Sequence, residues 1–139
     1  MTQLTLADAQ RVVDAALERA RETEVAVSVA VVDAGREPVA FARMDGALLV
    51  SIETAEGKAY TARSLNRATG DISPDTQPGN PLYGLEVTGS RPFVTFGGGD
   101  VLRIGDEIVG AVGVAGGTIA QDEEILAAAL QAMANGAAA

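Results

Sequence analysis

The sequence contains no histidine, no cysteine and no tryptophan, and these absences exclude several kinds of site. Without histidine there is no Ser-His-Asp triad and no imidazole ligand for zinc, iron or haem. Without cysteine there is no disulfide, no thiolate metal site and no redox switch. Aromatic residues make up only 4% of the chain, so surfaces that stack nucleic-acid bases are not expected. Proton transfer or covalent chemistry would therefore rely on carboxylates, lysine, tyrosine and backbone amides.

Basic residues and long apolar runs are also scarce. Ten lysines and arginines stand against nineteen aspartates and glutamates, which gives a net charge of −9. This charge repels nucleic-acid phosphates and anionic lipids within a Debye length. No run approaches the roughly 18 apolar residues that span a bilayer, and the first residues do not resemble a signal peptide. We therefore expect neither nucleic acid nor a membrane as a partner, and we expect a cytoplasmic location.

The chain is long enough for one domain over residues 1–139, and the apolar periodicity predicts its elements. The predicted helices are Thr5–Glu24, Leu49–Leu65 and a last helix that begins with a Thr118–Gln121 capping box. The predicted strands are Val25–Val32, Pro38–Arg43, Phe93–Phe96, Val101–Ile104 and Glu107–Ala115. Four of the five prolines lie in the segment Thr69–Pro92, which we expect to be irregular apart from a helical turn near Leu82–Leu85, and whose function the sequence leaves open.

The resulting order is helix, two strands, helix, long loop, three strands, helix. Short turns join the strands on either side of Asp33–Arg36 and of Gly105–Asp106, so these neighbours should be antiparallel. The sequence therefore predicts an α+β fold. Its sheet has five antiparallel strands and helices packed mainly on one face, as in profilin-like or PAS-like domains.

Glycines and a few charged side chains are the candidate site residues. The run Gly97, Gly98, Gly99 either bends the chain between two strands or presents backbone amides to an oxyanion. Arg43 is either part of a surface ion pair with its neighbour Asp45 or a carboxylate-binding group at a pocket mouth.

The second helix carries three further candidates. Lys58 either faces solvent or, if it faces inward, has a pKa lowered by burial and becomes a candidate base or Schiff-base nucleophile. Tyr60, like Tyr83 in the long loop, is expected to pack with a wet hydroxyl. Glu56 is a further candidate for proton transfer.

The order of several motifs resembles the GlcG/HbpS family along most of the chain, from about Leu4 to Met133. The matching segments are Val29–Gly35, Phe41–Gly46, Lys58–Ala62, Gly97–Gly99, Ile108–Gly117 and Gln121–Glu123. The resemblance implies a profilin-like fold that is commonly assembled into oligomers, often octamers. It also implies kinship with haem-binding and haem-degrading proteins, with a glycolate-operon protein, and with a domain of corrinoid adenosyltransferases that binds haem through histidine.

Three functions follow as hypotheses. The first is a homo-oligomeric binding protein without a metal or other cofactor, whose pocket lies between the Arg43-Met44-Asp45 corner, helix 48–66 and the Gly97–Gly99 bend, with Met44, Glu56 and Tyr60 among the ligand contacts. The second is a cofactor-independent lyase, isomerase or cyclase that acts on a small carbonyl or carboxylate compound, with Arg43, Asp45 and Lys58 as catalytic residues. The third is haem binding or degradation, for which Met44, Tyr60, Tyr83 or a lysine would have to replace the missing histidine.

Overall fold

The computed structural model describes residues 2–138, and it contains four helices and four strands within that range. The helices are α1 (Leu6–Glu22), α2 (Val50–Leu65), α3 (Thr69–Ile72) and α4 (Ile119–Ala138). The strands are β1 (Ser28–Asp33), β2 (Pro38–Arg43), β3 (Gly99–Ile104) and β4 (Glu107–Ala115). Two short 3-10 helices, Ser73–Thr76 and Leu85–Val87, lie between α3 and β3. The stretch predicted to be irregular therefore begins with helical turns instead, namely α3 and the first 3-10 helix, and its second 3-10 helix lies next to the predicted turn near Leu82–Leu85. No helix in the described range is long and apolar enough to cross a bilayer.

Capping boxes fix the starts of α1 and α4. The Thr5 hydroxyl accepts a hydrogen bond from the Asp8 backbone N–H at 3.0 Å, and the Asp8 carboxylate accepts one from the Thr5 N–H at 3.3 Å. Thr118 and Gln121 make the same reciprocal pair at 3.1 and 2.9 Å. The predicted capping box of the last helix is therefore confirmed.

The sheet is antiparallel, in the order β2-β1-β4-β3, and it has four strands rather than the predicted five. The segment Phe93–Phe96 has strand-like composition but does not join the sheet. The Val94 backbone N–H donates instead to the Thr61 hydroxyl on α2 at 2.8 Å. This segment therefore lies against a helix, because a side-chain oxygen satisfies the donor that a neighbouring strand would otherwise have taken.

The helices cover both faces of the sheet, which corrects the prediction that they lie mainly on one. α1 and α4 pack on the face that carries Val29, Val31 and Val112, and α2 packs on the face that carries Ala30 and Ala111. β1 and β4 are the two central strands, and the first five residues of β1 are all buried. The continuous apolar run in β1 is the pattern of a strand that is covered on both sides, rather than of one with a solvent face.

Candidate functional site

Lys58 lies inside the fold, where it joins three elements. Its side chain is 1% exposed, and its Nζ donates to the backbone oxygen of Val114 on β4 at 2.8 Å and to Oδ2 of Asp122 on α4 at 3.0 Å. The other oxygen of Asp122 accepts a hydrogen bond from the Gly117 N–H at 2.9 Å. The interpretation of Lys58 as a solvent-facing lysine is therefore wrong, and the inward-facing alternative is the one observed.

The protonation of Lys58 is set by opposing effects. Burial lowers the pKa of the Lys58 amine below its usual value of 10.5, while the negative charges of Asp122 and Glu123 act in the opposite direction. An ammonium group has three N–H donors, and two of them are used by Val114 and Asp122. The third has no hydrogen-bond acceptor among residues 2–138, and the nitrogen lies 5.2 Å from the centre of the Phe96 ring. A bound molecule with an acceptor atom could take this third bond.

The glycine bend closes around the lysine. Gly98 has φ +129°, and a Cβ at this position would lie 2.5 Å from Lys58 Nζ and 2.7 Å from the Val114 oxygen. A Cβ at Gly99 would lie 2.7 Å from the Lys58 backbone oxygen. Only glycine allows this approach.

The backbone amides of the bend are only partly free for a ligand. The Gly99 N–H donates to the Thr69 hydroxyl at 3.0 Å, so this amide is not available to stabilise an oxyanion. A Cβ at Gly97 would meet the Glu123 carboxyl group at 2.6 Å, which shows that a negative charge already lies against this end of the bend. Both features weaken the idea of an anion-binding role for the three glycines.

A cavity of about 190 Å³ lies beside Lys58, between the start of α2 and the turn from β4 into α4. Lys58 and Asp122 supply its charged groups, and Ser51 and Thr54 supply hydroxyls. Most of its surface is apolar and comes from Leu48, Val50, Phe96, Ala115 and Ile119. Four of these side chains (Leu48, Val50, Phe96 and Ile119) are between 43% and 63% exposed. We call this cavity the Lys58 cleft.

The Arg43-Met44-Asp45 corner does not form part of the Lys58 cleft. Arg43 is exposed at the end of β2, opposite Ser28, and Asp45 is exposed in the turn that leads to α2. The Met44 sulfur accepts a hydrogen bond from the Val27 N–H at 3.4 Å and packs against the core beneath α1 and α4. The prediction of a single pocket between the corner, the helix and the bend is therefore wrong. At the Lys58 cleft, α2 meets the β4–α4 turn, and Gly97–Gly99 pack beside Lys58 without lining the cleft.

Glu56 and Tyr60 lie away from the cleft, where they line two other cavities of about 360 and 180 Å³. Tyr60 is 6% exposed, and its hydroxyl accepts a hydrogen bond from Arg36 Nη1 at 3.1 Å. Tyr83 is 67% exposed. The Tyr60 hydroxyl, which was predicted to contact water, is thus hydrogen-bonded to Arg36.

Asp122 and Phe96 are neighbours of Lys58 that the sequence pattern did not predict. Asp122 is one of three consecutive acids in the first turn of α4, where the helix dipole favours negative charge, and 64 residues separate it from Lys58. No local pattern connects positions so distant. Among residues 2–138, no three acidic side chains converge in a way that would hold a metal ion.

The fold and its sequence match known proteins along nearly the whole chain. The family model described as "Haem degrading protein HbpS-like" matches residues 4–131. A 15.0 kDa protein from the dhaT-dhaS intergenic region of Citrobacter freundii is 40% identical over 127 residues, which cover 91% of this chain and 89% of that protein.

Two further matches concern the corrinoid adenosyltransferase PduO. The Salmonella typhimurium protein is 43% identical over 131 residues, which cover 94% of this chain but only 39% of that enzyme's length. A crystal structure described as a PduOC:heme complex superposes with a TM-score of 0.91 and 40% identity, covering 94% of this chain and 95% of that one.

Proposed function

Because this chain belongs to the HbpS-like family, we propose that it is a single domain that binds a small organic molecule in the Lys58 cleft. The proposed ligand has an apolar body and one carbonyl or carboxylate oxygen. Nucleic acid, membranes and a metal remain unexpected partners, and the cytoplasm remains the predicted location.

One observation carries this proposal: a buried ammonium group with an unused N–H lies beside an apolar cavity. A hydrogen bond to a charged group contributes about 1.5–3 kcal/mol. A ligand oxygen that accepts the third N–H of Lys58 would gain a bond of this kind. The partly exposed side chains of Leu48, Val50 and Ile119 would lose contact with water at the same time.

The size of the cleft limits the ligand. Pockets that enclose drug-sized molecules usually measure roughly 300–1,000 Å³. The Lys58 cleft, at about 190 Å³, is smaller. It therefore suits a compact molecule, or one end of a larger molecule that extends across the apolar rim.

The residues of this chain do not fit haem, although one relative was crystallised with it. Haem iron in proteins is held by an axial His, Cys, Met or Tyr ligand. The Met44 sulfur faces a backbone N–H in the core, and the Tyr60 hydroxyl is bound to Arg36. Lys58 is paired with Asp122, which leaves Tyr83 as an exposed tyrosine outside the cleft. We therefore expect a hemin titration to show no stoichiometric Soret shift, and a saturating shift would contradict this assignment.

A second candidate is a cofactor-independent lyase, isomerase or cyclase, and the lowered pKa of Lys58 beside an open cleft favours it. In this version Lys58 would transfer the proton to or from a carbonyl or carboxylate compound. Arg43, Asp45 and Glu56 would have no direct part, since none of them lines the cleft. Chemical conversion of a retained ligand, lost when Lys58→Met is combined with Asp122→Asn to keep the domain folded, would distinguish the enzyme from the binding protein.

The binding proposal is tested with adjacent leucines. Leu48 lines the cleft and Leu49 does not, yet both side chains are exposed. The probe is 8-anilinonaphthalene-1-sulfonate, which combines an apolar body with acceptor oxygens and fluoresces when it leaves water. Leu48→Ala should weaken its binding about fivefold, as expected for roughly 1 kcal/mol of lost apolar contact, and Leu49→Ala should leave it unchanged. Equal effects of the two variants would overturn the proposal.

Native mass spectrometry of the purified protein provides a second measurement. It reports any retained small molecule and the number of subunits in the same spectrum. The predicted homo-oligomer, up to an octamer, is tested by the subunit count independently of the ligand.

A further inference from the structure

Two guanidinium groups converge on one tyrosine ring, outside the Lys58 cleft. The guanidinium carbon of Arg91 lies 3.9 Å from the centre of the Tyr60 ring, and that of Arg36 lies 4.8 Å from it. Because both distances are measured to the same ring centre, the two guanidinium carbons can be no farther apart than the sum of the two. We call these residues the arginine pair.

The arginine pair is unusual for so acidic a chain. Most other basic groups are matched with acids, as in the ion pairs made by Arg11, Arg19, Arg21, Lys58 and Arg67. Neither Arg36 nor Arg91 makes an ion pair within the described part of the chain, although the sequence has nineteen acids. Two cations so close together repel each other. An anion that contacts both of them would attract each one and offset this repulsion.

The arginine pair also has unused donors and a cavity to direct them into. Arg36 uses one nitrogen, Nη1, for the Tyr60 hydroxyl at 3.1 Å and the Ser64 hydroxyl at 3.2 Å. A guanidinium has five N–H donors, so the others of Arg36 remain available, and the Arg91 side chain has no hydrogen-bond acceptor among residues 2–138. Both arginines line a cavity of about 180 Å³, which we call the β2 cavity.

Tyr60 holds this arrangement rigid. Its side chain is buried, its ring packs against Phe93 with 5.6 Å between ring centres, and its hydroxyl is fixed by Arg36. Cation–π contact with the ring contributes about 0.5–1 kcal/mol for each exposed arginine. This contact positions the guanidiniums while leaving N–H groups of both of them, other than those of Arg36 Nη1, free for a planar or tetrahedral oxyanion.

We propose that the arginine pair binds the oxyanion group, a carboxylate or a phosphate, of a small organic molecule in the β2 cavity. This site is separate from the Lys58 cleft and does not depend on it. The apolar walls contributed by Pro38 and Phe41 receive the body of the ligand. Glu56, which also lines the cavity, favours a ligand whose hydroxyl group lies close to its anionic group, because a carboxylate accepts hydrogen bonds and repels a bare anion.

The experiment uses the natural fluorescence of the site. The chain has two tyrosines and no tryptophan, so Tyr83→Phe leaves Tyr60 as the sole emitter above the weak phenylalanine background. In this background, lactate, propionate and inorganic phosphate are titrated against sodium chloride of matched ionic strength. We expect a saturable change in Tyr60 emission with at least one oxyanion, and tighter binding of lactate than of propionate if carboxylates bind.

Substitutions then locate the effect. Arg91→Gln and Arg36→Gln should each weaken binding about tenfold or more, since a charge-assisted hydrogen bond contributes roughly 1.5–3 kcal/mol. Arg103→Gln is the matched control, because Arg103 is also an exposed arginine without an ion pair in the described chain and does not line the β2 cavity. Its affinity should equal that of the parent. Circular dichroism checks that every variant is folded.

The outcomes separate the alternatives. Saturation by phosphate alone assigns a phosphate ligand, and saturation by the organic acids alone assigns a carboxylate. No saturable response, or an equal loss in Arg103→Gln, overturns the proposal and leaves the arginines with a packing role over Tyr60. Leu48→Ala should not change this titration, so failure here and failure of the Lys58 cleft proposal are distinguishable.

Discussion

The two faces of the sheet differ in the size and polarity of the side chains they bury. Beneath α1 and α4 the core is built from large aliphatic residues, among them Val12, Leu102 and Ile125. Beneath α2 the apolar cluster is almost entirely alanine, and Ser28, Ser51, Lys58 and Thr61 are buried near it. The first face thus removes most apolar area from water, while the second allows a helix to approach the sheet closely and to bury polar groups.

This difference places stability and binding on opposite sides of the sheet. The Lys58 cleft and the β2 cavity are both lined by α2, together with the loops and strands around it. Substitutions beneath α1 and α4 should therefore change the free energy of unfolding and leave the cavities intact. Substitutions beneath α2 should affect both. Three predictions test this contrast, and a fourth tests a buried carboxyl group at the edge of the sheet.

The largest effect is expected for Lys58→Met. Removing one member of a buried ion pair leaves Asp122 charged and unpaired, which costs about 3–5 kcal/mol of unfolding free energy. Adding Asp122→Asn removes the unpaired charge and retains an oxygen for the Gly117 N–H, so the double variant should recover much of the loss. Urea unfolding measures the free energy of unfolding of the parent, the single variant and the double variant. A single variant that loses less than about 1 kcal/mol would show that the pair is not needed on this face.

The next effect is expected for Ile125→Ala on the opposite face. Ile125 is fully buried, and truncation of such a side chain costs about 2–5 kcal/mol through lost transfer free energy and a residual cavity. Binding of 8-anilinonaphthalene-1-sulfonate should stay at its parent value under conditions where the variant is folded. A change in that affinity would break the separation of the two faces.

A smaller effect is expected for Gly113→Ala, which tests how closely α2 approaches β4. A Cβ at Gly113 would overlap the backbone of α2 at Ala55 and Ala59, so the helix must shift, at a cost of about 1–3 kcal/mol. Gly35→Ala is the control, since the added Cβ would make only an ordinary contact with Asp33 at 3.4 Å. If both variants unfold at the same urea concentration, the close approach contributes nothing to stability.

The smallest effect is expected for Asp100→Asn at the edge strand β3. Burial raises the pKa of the Asp100 carboxyl above 3.8, and nearby Asp71 adds to this. The folded state therefore keeps this proton to higher pH than the unfolded state does. The contribution of Asp100 to stability is complete below about pH 3.8 and is lost as pH rises through the raised pKa.

Asparagine cannot titrate and keeps the oxygen that accepts from the Val101 N–H. The free energy of unfolding of Asp100→Asn minus that of the parent should therefore be larger at pH 7 than at pH 3. Urea unfolding of both proteins at both pH values measures this difference. A difference that does not change with pH, or that changes in the opposite direction, would contradict the raised pKa.

Local patterns predicted much of the fold. The helical period, the β-branched strand and the Thr118–Gln121 capping box depend on neighbours within a few residues, and the corresponding elements occur in the structure. Phe93–Phe96 has the composition of a strand, but its partner is the Thr61 hydroxyl, a tertiary contact that no local pattern encodes. The number of strands was wrong for that reason.

A β-bulge in β2 shows why it is harder to predict on which face of the sheet a side chain lies. Alternation along β2 places Val39 and Phe41 on the same face. The pairing skips Val39 between Ala40 and Pro38, so that Val39 packs towards α1 and α4 while Phe41 pairs with Ala30 on the α2 face. One inserted residue reverses the side on which every later residue lies.

The candidate site was predictable only in part. Lys58 and the glycine bend were identified, since a lysine on an apolar helix and three consecutive glycines are visible in the sequence. Their position next to Asp122 and the β4–α4 turn depends on how α2 and α4 pack on the sheet. Arg36 lies in a hairpin turn and Arg91 in a long loop, and only the tertiary structure brings both of them to Tyr60.

The packing of α1 against α4 has a consequence for how the protein is made. The apolar stripe of α1, with Val12 and Val13, is covered by Ile125 and Met133 of α4, and Arg11 bonds the Ala132 oxygen at 3.3 Å. A ribosome releases α1 and the β1–β2 hairpin that packs on it long before α4, so the part of the stripe that α4 covers is exposed until almost all of the domain has emerged. The domain is therefore open to aggregation or chaperone capture until α4 has emerged, and completion of its folding waits for that helix.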